Sequence, residues 1–364
     1  MRKPRPIRSA SLIAVVASLA ATASLAAAPT QAAAQQRFFG VVFDRDVSSA
    51  PAATQDAQFR KMRATGVRTV RRVFSWAEAQ PAQDQPPSFA ATDALVARAA
   101  LNDIEILPIV MYAPAWARTD PNTFASPPAN PSDYTAYLVQ LVQRYGPNGT
   151  FWTDHTEIPE RPLRTWQIWN EPQLPYQWAG KDWEAGYGQL LHAAHDALKK
   201  ADPGCTIVLA GATNFAWDAL ESLYRKGSIK GQFDVAALHP YTGSAGRVVK
   251  AAELFKAVLK KHGDAKLPIW ITELAWPASK GKVTPPSGLQ ALPTTAAGMA
   301  TRLTRGYRLL MKSQIVQRAY WYTWASGYTK GDGIFGFTGL QRYDPKTGRF
   351  TATPALRAFR KLAR

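Results

Sequence analysis

The chain has 364 residues, with 44 Lys and Arg against 26 Asp and Glu, for a formal net charge of +18. Its one cysteine, Cys205, excludes an intramolecular disulfide, so stability must come from a hydrophobic core, which a chain of this length can build. Five histidines without metal-ligand spacing argue against a metal site, and no cofactor motif appears.

Residues 1–34 have a basic start (Arg2, Lys3, Arg5, Arg8) followed by an Ala/Leu/Val-rich run from Ala10 to Ala28. This pattern predicts a secretory signal peptide, cleaved after Ala32-Ala33-Ala34, and therefore secretion. Ser18, Thr22 and Ser24 interrupt the apolar stretch and no stop-transfer flank follows, which weighs against a stable membrane anchor. Residues 35–364 would then form one domain with a net charge of +14. The basic residues form no long block, so the charge reads as a surface adapted to its medium or to an anionic cell-wall polymer, ahead of an acidic substrate.

From Arg37 onward, short apolar runs alternate with longer amphipathic ones. The pattern predicts strands over Phe38–Phe43, Val67–Phe74, Ile104–Met111, Leu163–Trp169, Thr206–Ala210, Phe233–Leu238, Ile269–Thr272 and Arg318–Trp324. Helices are expected over Thr54–Thr65, Thr92–Asn102, Pro131–Tyr145, Trp183–Ala201, Trp217–Arg225, Arg247–Lys261, Thr294–Met311 and Pro354–Leu362. In the fourth helix Trp183, Tyr187, Leu190, Leu191, Ala194 and Leu198 recur at steps of three or four, which sets one apolar stripe against a sheet. Eight βα units favour a closed (β/α)8 TIM barrel over an open doubly wound sheet, since no Gly-rich phosphate turn follows the first strand. Residues 151–162 and 278–293 read as insertions, the second placed to shape the barrel mouth.

Two glutamates then stand out. Glu171, after Trp169-Asn170, would end the fourth strand and Glu273, after Thr272, the seventh, so both would emerge on the carboxyl-terminal face where such barrels keep their chemistry. Half-buried carboxylates are costly without partners, and an apposed pair suits glycosidic bond cleavage, one as nucleophile and the other as acid and then base. The bland reading is that each merely pairs with a barrel arginine. Trp76, Trp116, Trp169, Trp276 and Trp324 fall at or just past strand ends, with Trp178 and Trp217 in the following loops. Sugars stack their C–H faces on such rings, although about half of these rings should be core.

Trp169-Asn170-Glu171-Pro172, His239-Pro240-Tyr241 and Thr272-Glu273, in that order at the ends of the fourth, sixth and seventh strands, resemble the motifs of the clan A glycoside hydrolases, families 5 and 39 in particular. The resemblance implies Glu171 as acid/base and Glu273 as nucleophile of a retaining double displacement. It implies Asn170 at the sugar 2-hydroxyl, Tyr241 holding the nucleophile, His239 lining the same subsite and Arg71 near the nucleophile. Adjacent Arg72 leaves the register of that strand open. Trp324, with Trp321 as alternative, would be the aromatic floor, and Trp276 a further sugar contact. The expected protein is a secreted, monomeric glycosidase acting on a polysaccharide or oligosaccharide, without metal, cofactor or nucleic acid. A non-catalytic carbohydrate-binding barrel is the alternative, and an anion-binding surface protein, which requires a contiguous basic patch away from the mouth, is a third reading.

Overall fold

The structure, a computed structural model, describes Met1 and residues 37–43, 45–213 and 215–364. The expected signal peptide, Met1 apart, lies outside the described residues. Nine strand segments, β1 (Phe39–Val42), β2 (Thr69–Ser75), β3 (Glu105–Met111), β4 (Thr165–Ile168), β5 (Thr206–Val208), β6 (Ala212–Thr213), β7 (Ala236–His239), β8 (Ile269–Leu274) and β9 (Val316–Trp321), form one sheet in the order β5-β4-β3-β2-β1-β9-β8-β7-β6. A parallel bridge from Val208 to Val235 joins β5 to the residue preceding β7 and closes the ring. β5 and β6 are two pieces of one barrel strand, so the sheet has eight staves. Helices α1 (Ala52–Thr65), α2 (Ala90–Leu101), α3 (Pro131–Tyr145), α4 (Trp183–Ala201), α5 (Ala216–Lys226), α6 (Ala245–Lys261), α7 (Ala296–Ser313) and α8 (Pro354–Ala363) follow the staves in turn, as the (β/α)8 reading expects. None of the described helices is long and apolar enough to cross a membrane.

Local sequence explains the boundaries. Asn130 caps α3 by accepting from the Ser132 amide, with Pro131 at the first turn, and α4 buries Tyr187, Leu190, Leu191, Ala194 and Leu198 along one stripe. Inside the barrel, inward positions of the strands contribute an apolar plug that includes Val42, Leu107, Val208, Ala237, Trp270 and Tyr320. Gly40 makes room for it, because a Cβ there would lie 2.4 Å from the Tyr320 ring. One step further along the strands the inward positions turn polar: Arg71 on β2, Gln167 on β4, His239 on β7 and Thr272 on β8, all buried. The plug therefore seals the bottom of the barrel, and chemistry is confined to the top.

Two features depart from the expectation. The insertion at 151–162 opens with a helical turn, Thr150–Asp154. Between β9 and α8 lies a small sheet of β10 (Ala325–Ser326), β11 (Gln341–Asp344) and β12 (Arg349–Ala352), interrupted by a 3-10 segment over Lys330–Phe337. Strands of two to four residues set among glycines carry too little periodicity to register as strands.

Gly306 on α7 faces Trp276, which follows β8, and a Cβ there would sit 2.7 Å from the ring. The ring is fixed by donation from Nε1 to the Thr242 carbonyl at 2.7 Å. Alanine would gain about 1 kcal/mol of helix propensity but overpack by roughly 1–3 kcal/mol. Gly306→Ala should therefore lower the urea midpoint, corresponding to a net loss of about 1 kcal/mol of unfolding free energy; an unchanged or raised midpoint would show that the ring yields freely.

Candidate active site

The barrel mouth gathers Arg71, Asn170, Glu171, His239, Tyr241 and Glu273. The side chain of Arg71 is 1% exposed and donates through all three of its nitrogens: Nε to Gln167 Oε1 at 2.7 Å, Nη1 to Glu273 Oε1 at 2.6 Å and Nη2 to Asn170 Oδ1 at 2.7 Å. Arg72 points outward, toward the Phe43 carbonyl and Ser48, which settles the register of β2. Tyr241 Oη donates to the other Glu273 oxygen at 2.6 Å. His239 bridges the two halves of the site, with Nδ1 2.6 Å from Glu171 Oε1 and 3.8 Å from Glu273 Oε2, and Nε2 2.9 Å from Thr272 Oγ1. Because a guanidinium only donates, Asn170 must turn Oδ1 to Arg71, which leaves its amide N–H groups for another acceptor.

The backbone is shaped to suit. Trp169 and Glu171 have φ of 64° and 44°, the left-handed region that bulky residues rarely adopt. Two amide bonds hold them there, Trp169 N–H to the Val110 carbonyl and Glu171 N–H to the Gly211 carbonyl, each at 3.1 Å. Gly211 separates β5 from β6, and a Cβ at that position would lie 2.1 Å from His239 Nε2, so only glycine leaves room for the imidazole. On β8 the pairing register to β9 shifts between Ile271 and Leu274, and this irregularity lets Thr272 and Glu273, adjacent in sequence, both reach the interior.

The two carboxyls differ electrostatically. Burial raises the pKa of Glu171, and the negative charge of Glu273 adds to the rise, while the His239 hydrogen bond opposes it. Burial also penalises charge on Glu273, but His239, Arg71 and the Tyr241 hydrogen bond together outweigh it and leave that pKa lowered. One ligating atom from each of Glu171, His239 and Glu273 lies within 4.8 Å of the others.

The tryptophans need correction. Trp276 and Trp324, expected as sugar contacts, are both fully buried; Trp276 bonds Thr242 and packs toward α7, and Trp324 donates to Gln58 of α1 at 2.9 Å. Trp321, the alternative floor, also faces outward and donates to the Thr338 carbonyl. Strand alternation from inward Tyr320 makes Tyr322 the inward aromatic of the last barrel strand. Tyr322 is half-buried, packs on the interior plug and meets Phe335 edge-on at 5.9 Å, while Phe335 also meets Tyr241 at 5.1 Å. Of the seven tryptophans near strand ends, Trp116 and Trp217 alone keep partial exposure. The open rings at the mouth are instead Phe124 (56%), Tyr176 (68%) and Phe215 (67%), on the loops after β3, β4 and β6. Gln167 and Thr272 were also missed as site residues; a glutamine at an inward position of an otherwise apolar strand was the signal for the first.

The fold is that of a (β/α)8 barrel shared with glycoside hydrolases of clan A. The chain is similar to a family 39 glycoside hydrolase from Bacteroides cellulosilyticus, with a TM-score of 0.65 and 19% identity, covering 91% of this chain and 64% of that one. It is also similar to a monomeric beta-xylosidase from Caulobacter crescentus (TM-score 0.64, 17% identity, 90% and 68% covered). A family 51 alpha-L-arabinofuranosidase from Bifidobacterium longum matches likewise (TM-score 0.63, 16% identity, 90% and 72% covered). The sequence matches no protein-family model and no curated protein.

The raised pKa of Glu171 has a consequence for stability. A group with a raised folded-state pKa contributes stability that is fully present below its unfolded pKa, about 4.3, and is lost as pH rises through the folded value. From the unfolded value upward, Glu171 therefore costs stability that a neutral side chain in its place would not. Glu171→Gln, which can still accept from His239, should raise neutral-pH stability by about 1 kcal/mol in urea unfolding. The gain should vanish near pH 4, and a variant no more stable at pH 7 than at pH 4, relative to the parent, would contradict this account.

Proposed function

We propose that the protein is a retaining β-glycosidase that cleaves O-glycosidic bonds of a polysaccharide or oligosaccharide, with Glu273 as nucleophile and Glu171 as acid/base. The observation that carries the reading is the pinned, charge-stabilised Glu273 facing a destabilised Glu171 across a gap of 4.8 Å or less between their nearest oxygens. That approach favours retention, which needs carboxyls about 5–5.5 Å apart, over inversion, which needs roughly 6.5 Å or more.

The chemistry follows from the contacts. Arg71 and Tyr241 hold Glu273 ionised and orient one oxygen toward the anomeric carbon. Glu171, kept protonated by burial and by the neighbouring charge, delivers a proton to the leaving oxygen as the glycosyl–Glu273 ester forms. Esterification abolishes the Glu273 charge, one of the causes raising the Glu171 pKa, so that pKa falls and Glu171, having given up its proton, stays ionised and free to accept one from the attacking water. The free amide N–H of Asn170 suits the sugar 2-hydroxyl, and Tyr322 takes the floor position first sought in Trp324. Residues 1–34 act as a secretory signal in this reading, leaving 35–364 as the catalytic domain. A purely sugar-binding barrel has no use for two carboxyls with opposed pKa shifts.

Glu273→Gln should reduce turnover of aryl β-glycosides by roughly 10⁴-fold or more. Activity within a few-fold of the parent would overturn the assignment. In the parent, the acid limb of the kcat/KM profile should report Glu273 and the alkaline limb Glu171. Glu171→Gln should lose the alkaline limb and keep most of its kcat/KM on substrates with strongly acidic phenol leaving groups, while kcat falls because hydrolysis of the ester lacks its base; with the parent, the first product seen by NMR should have the anomeric configuration of the substrate.

A further inference from the structure

The charge of this chain is segregated. Residues 35–274 carry 25 Lys and Arg against 24 Asp and Glu, whereas residues 275–364 carry 15 against 2. No Lys/Arg run marks this in the sequence, because the basic residues are spaced along helices.

In space they converge on one face. Helices α7 and α8 pack against each other and contain no acidic residue. Arg305, Arg308 and Lys312 project from α7 at helical steps of three and four, and Arg357, Arg360 and Arg364 from α8 and its end repeat the spacing. Each row spans about 10 Å. All six side chains are exposed, and among the described residues none of them forms an ion pair with a carboxylate. A groove of about 570 Å³ between the two helices is lined by Ala300, Thr304 and Ala358 among others, with Arg305 and Arg308 beside them.

We propose that the α7–α8 face is a docking surface for an anionic, carboxylate-bearing polysaccharide, separate from the barrel mouth. Five of the six cations are arginines, whose forked guanidinium groups match carboxylates in pairs and are more weakly hydrated than ammonium groups. Two parallel rows suit an extended polymer carrying charge at intervals, and cations without a carboxylate partner leave that charge without an internal competitor; Arg364 alone is tied back, donating to the Ala64 carbonyl of α1. The groove between the rows, lined by small residues, admits a chain. A single-stranded nucleic acid would call for exposed aromatic platforms, and the large exposed rings, Phe124, Tyr176 and Phe215, are all at the mouth rather than on this face. The choice of a polysaccharide rests on the glycosidase reading; holding the polymer on the outer face of the barrel raises its local concentration around the protein.

Polygalacturonate, cast into native gels at about 0.1 M salt, where exposed charges are partly screened, is the probe for the whole mature protein. The triple variant Arg305→Glu, Arg308→Glu, Arg357→Glu should lose at least about tenfold in affinity. A matched reversal elsewhere on the surface, Lys200→Glu, Lys256→Glu, Lys260→Glu, should lose no more than about twofold, and both should keep the parent's turnover of a small aryl glycoside. Equal loss in the two triples would reduce the effect to net charge and overturn the proposal. So would unchanged binding in the first triple, or equal or tighter binding of a thymidine oligonucleotide through the same residues. The binding measurement needs no turnover and is repeated with Glu273→Gln, so a failed glycosidase assignment and a failed docking surface give different results.

Discussion

The site depends on a buried arginine. Arg71 brings a full charge into the barrel interior, where an unpaired ion would cost several kcal/mol, and it is tolerated because each of its three nitrogens meets an acceptor on another strand. Its planar fork sets the positions of those acceptors in turn, tying β4 to β8 through Gln167, Asn170 and Glu273. Gln167 passes the constraint on by donating to the Leu209 carbonyl, at the interruption of the fifth stave where Gly211 makes way for His239. A lysine could not reproduce this, having one nitrogen where three are used. The geometry of the mouth is thus fixed from beneath, by groups that a substrate would touch only in part.

From that base the two carboxyls diverge. Glu273 receives the guanidinium and a phenol and is stabilised as an anion; Glu171 has an imidazole on one side and apolar burial around it, and stands on backbone that only the surrounding strands can hold. Their separation makes each sensitive to the charge on the other, so the state of one sets the proton affinity of its partner. A change in the proton affinity of Glu171 therefore needs no movement of the protein. It follows from a change of charge at a neighbouring atom.

The eight-fold βα alternation was legible because each strand and helix carries its own period, and the expected boundaries agree with the structure to within a few residues at most staves. The glutamates were legible because strand ends in a parallel barrel have a defined direction. What sequence could not supply was side-chain facing at irregularities. Tyr322 was passed over for Trp324 by residue type, although alternation from Tyr320 points to the former. The bulge that turns in both Thr272 and Glu273 breaks the period of two on which any such count relies. The glycine-rich β10–β12 region was silent because its order comes from tertiary contacts: Lys282, from the loop after β8, lies over the rings of Tyr328 and Phe337 at 5.7 and 5.0 Å.

That same region makes the mouth unequal on its two sides. The loop after β8 and the 3-10 segment after β9 pack together, with the Ala278 amide donating to the Phe337 carbonyl at 2.9 Å, and set Phe335 against both Tyr241 and Tyr322. On that side aromatic rings are spent on building a wall. Across the mouth, on the loops after β3, β4 and β6, Phe124, Tyr176 and Phe215 stand more than half exposed. The geometry of the carboxyl pair and the plug beneath it need neither arrangement, since Arg71, His239 and the glutamates are placed by the staves and their ends. The similarity in fold to both a beta-xylosidase and an alpha-L-arabinofuranosidase is consistent with this division. The staves determine where the carboxyls stand, while the segments inserted between staves and helices determine the shape of the mouth above them and which of its sides is open.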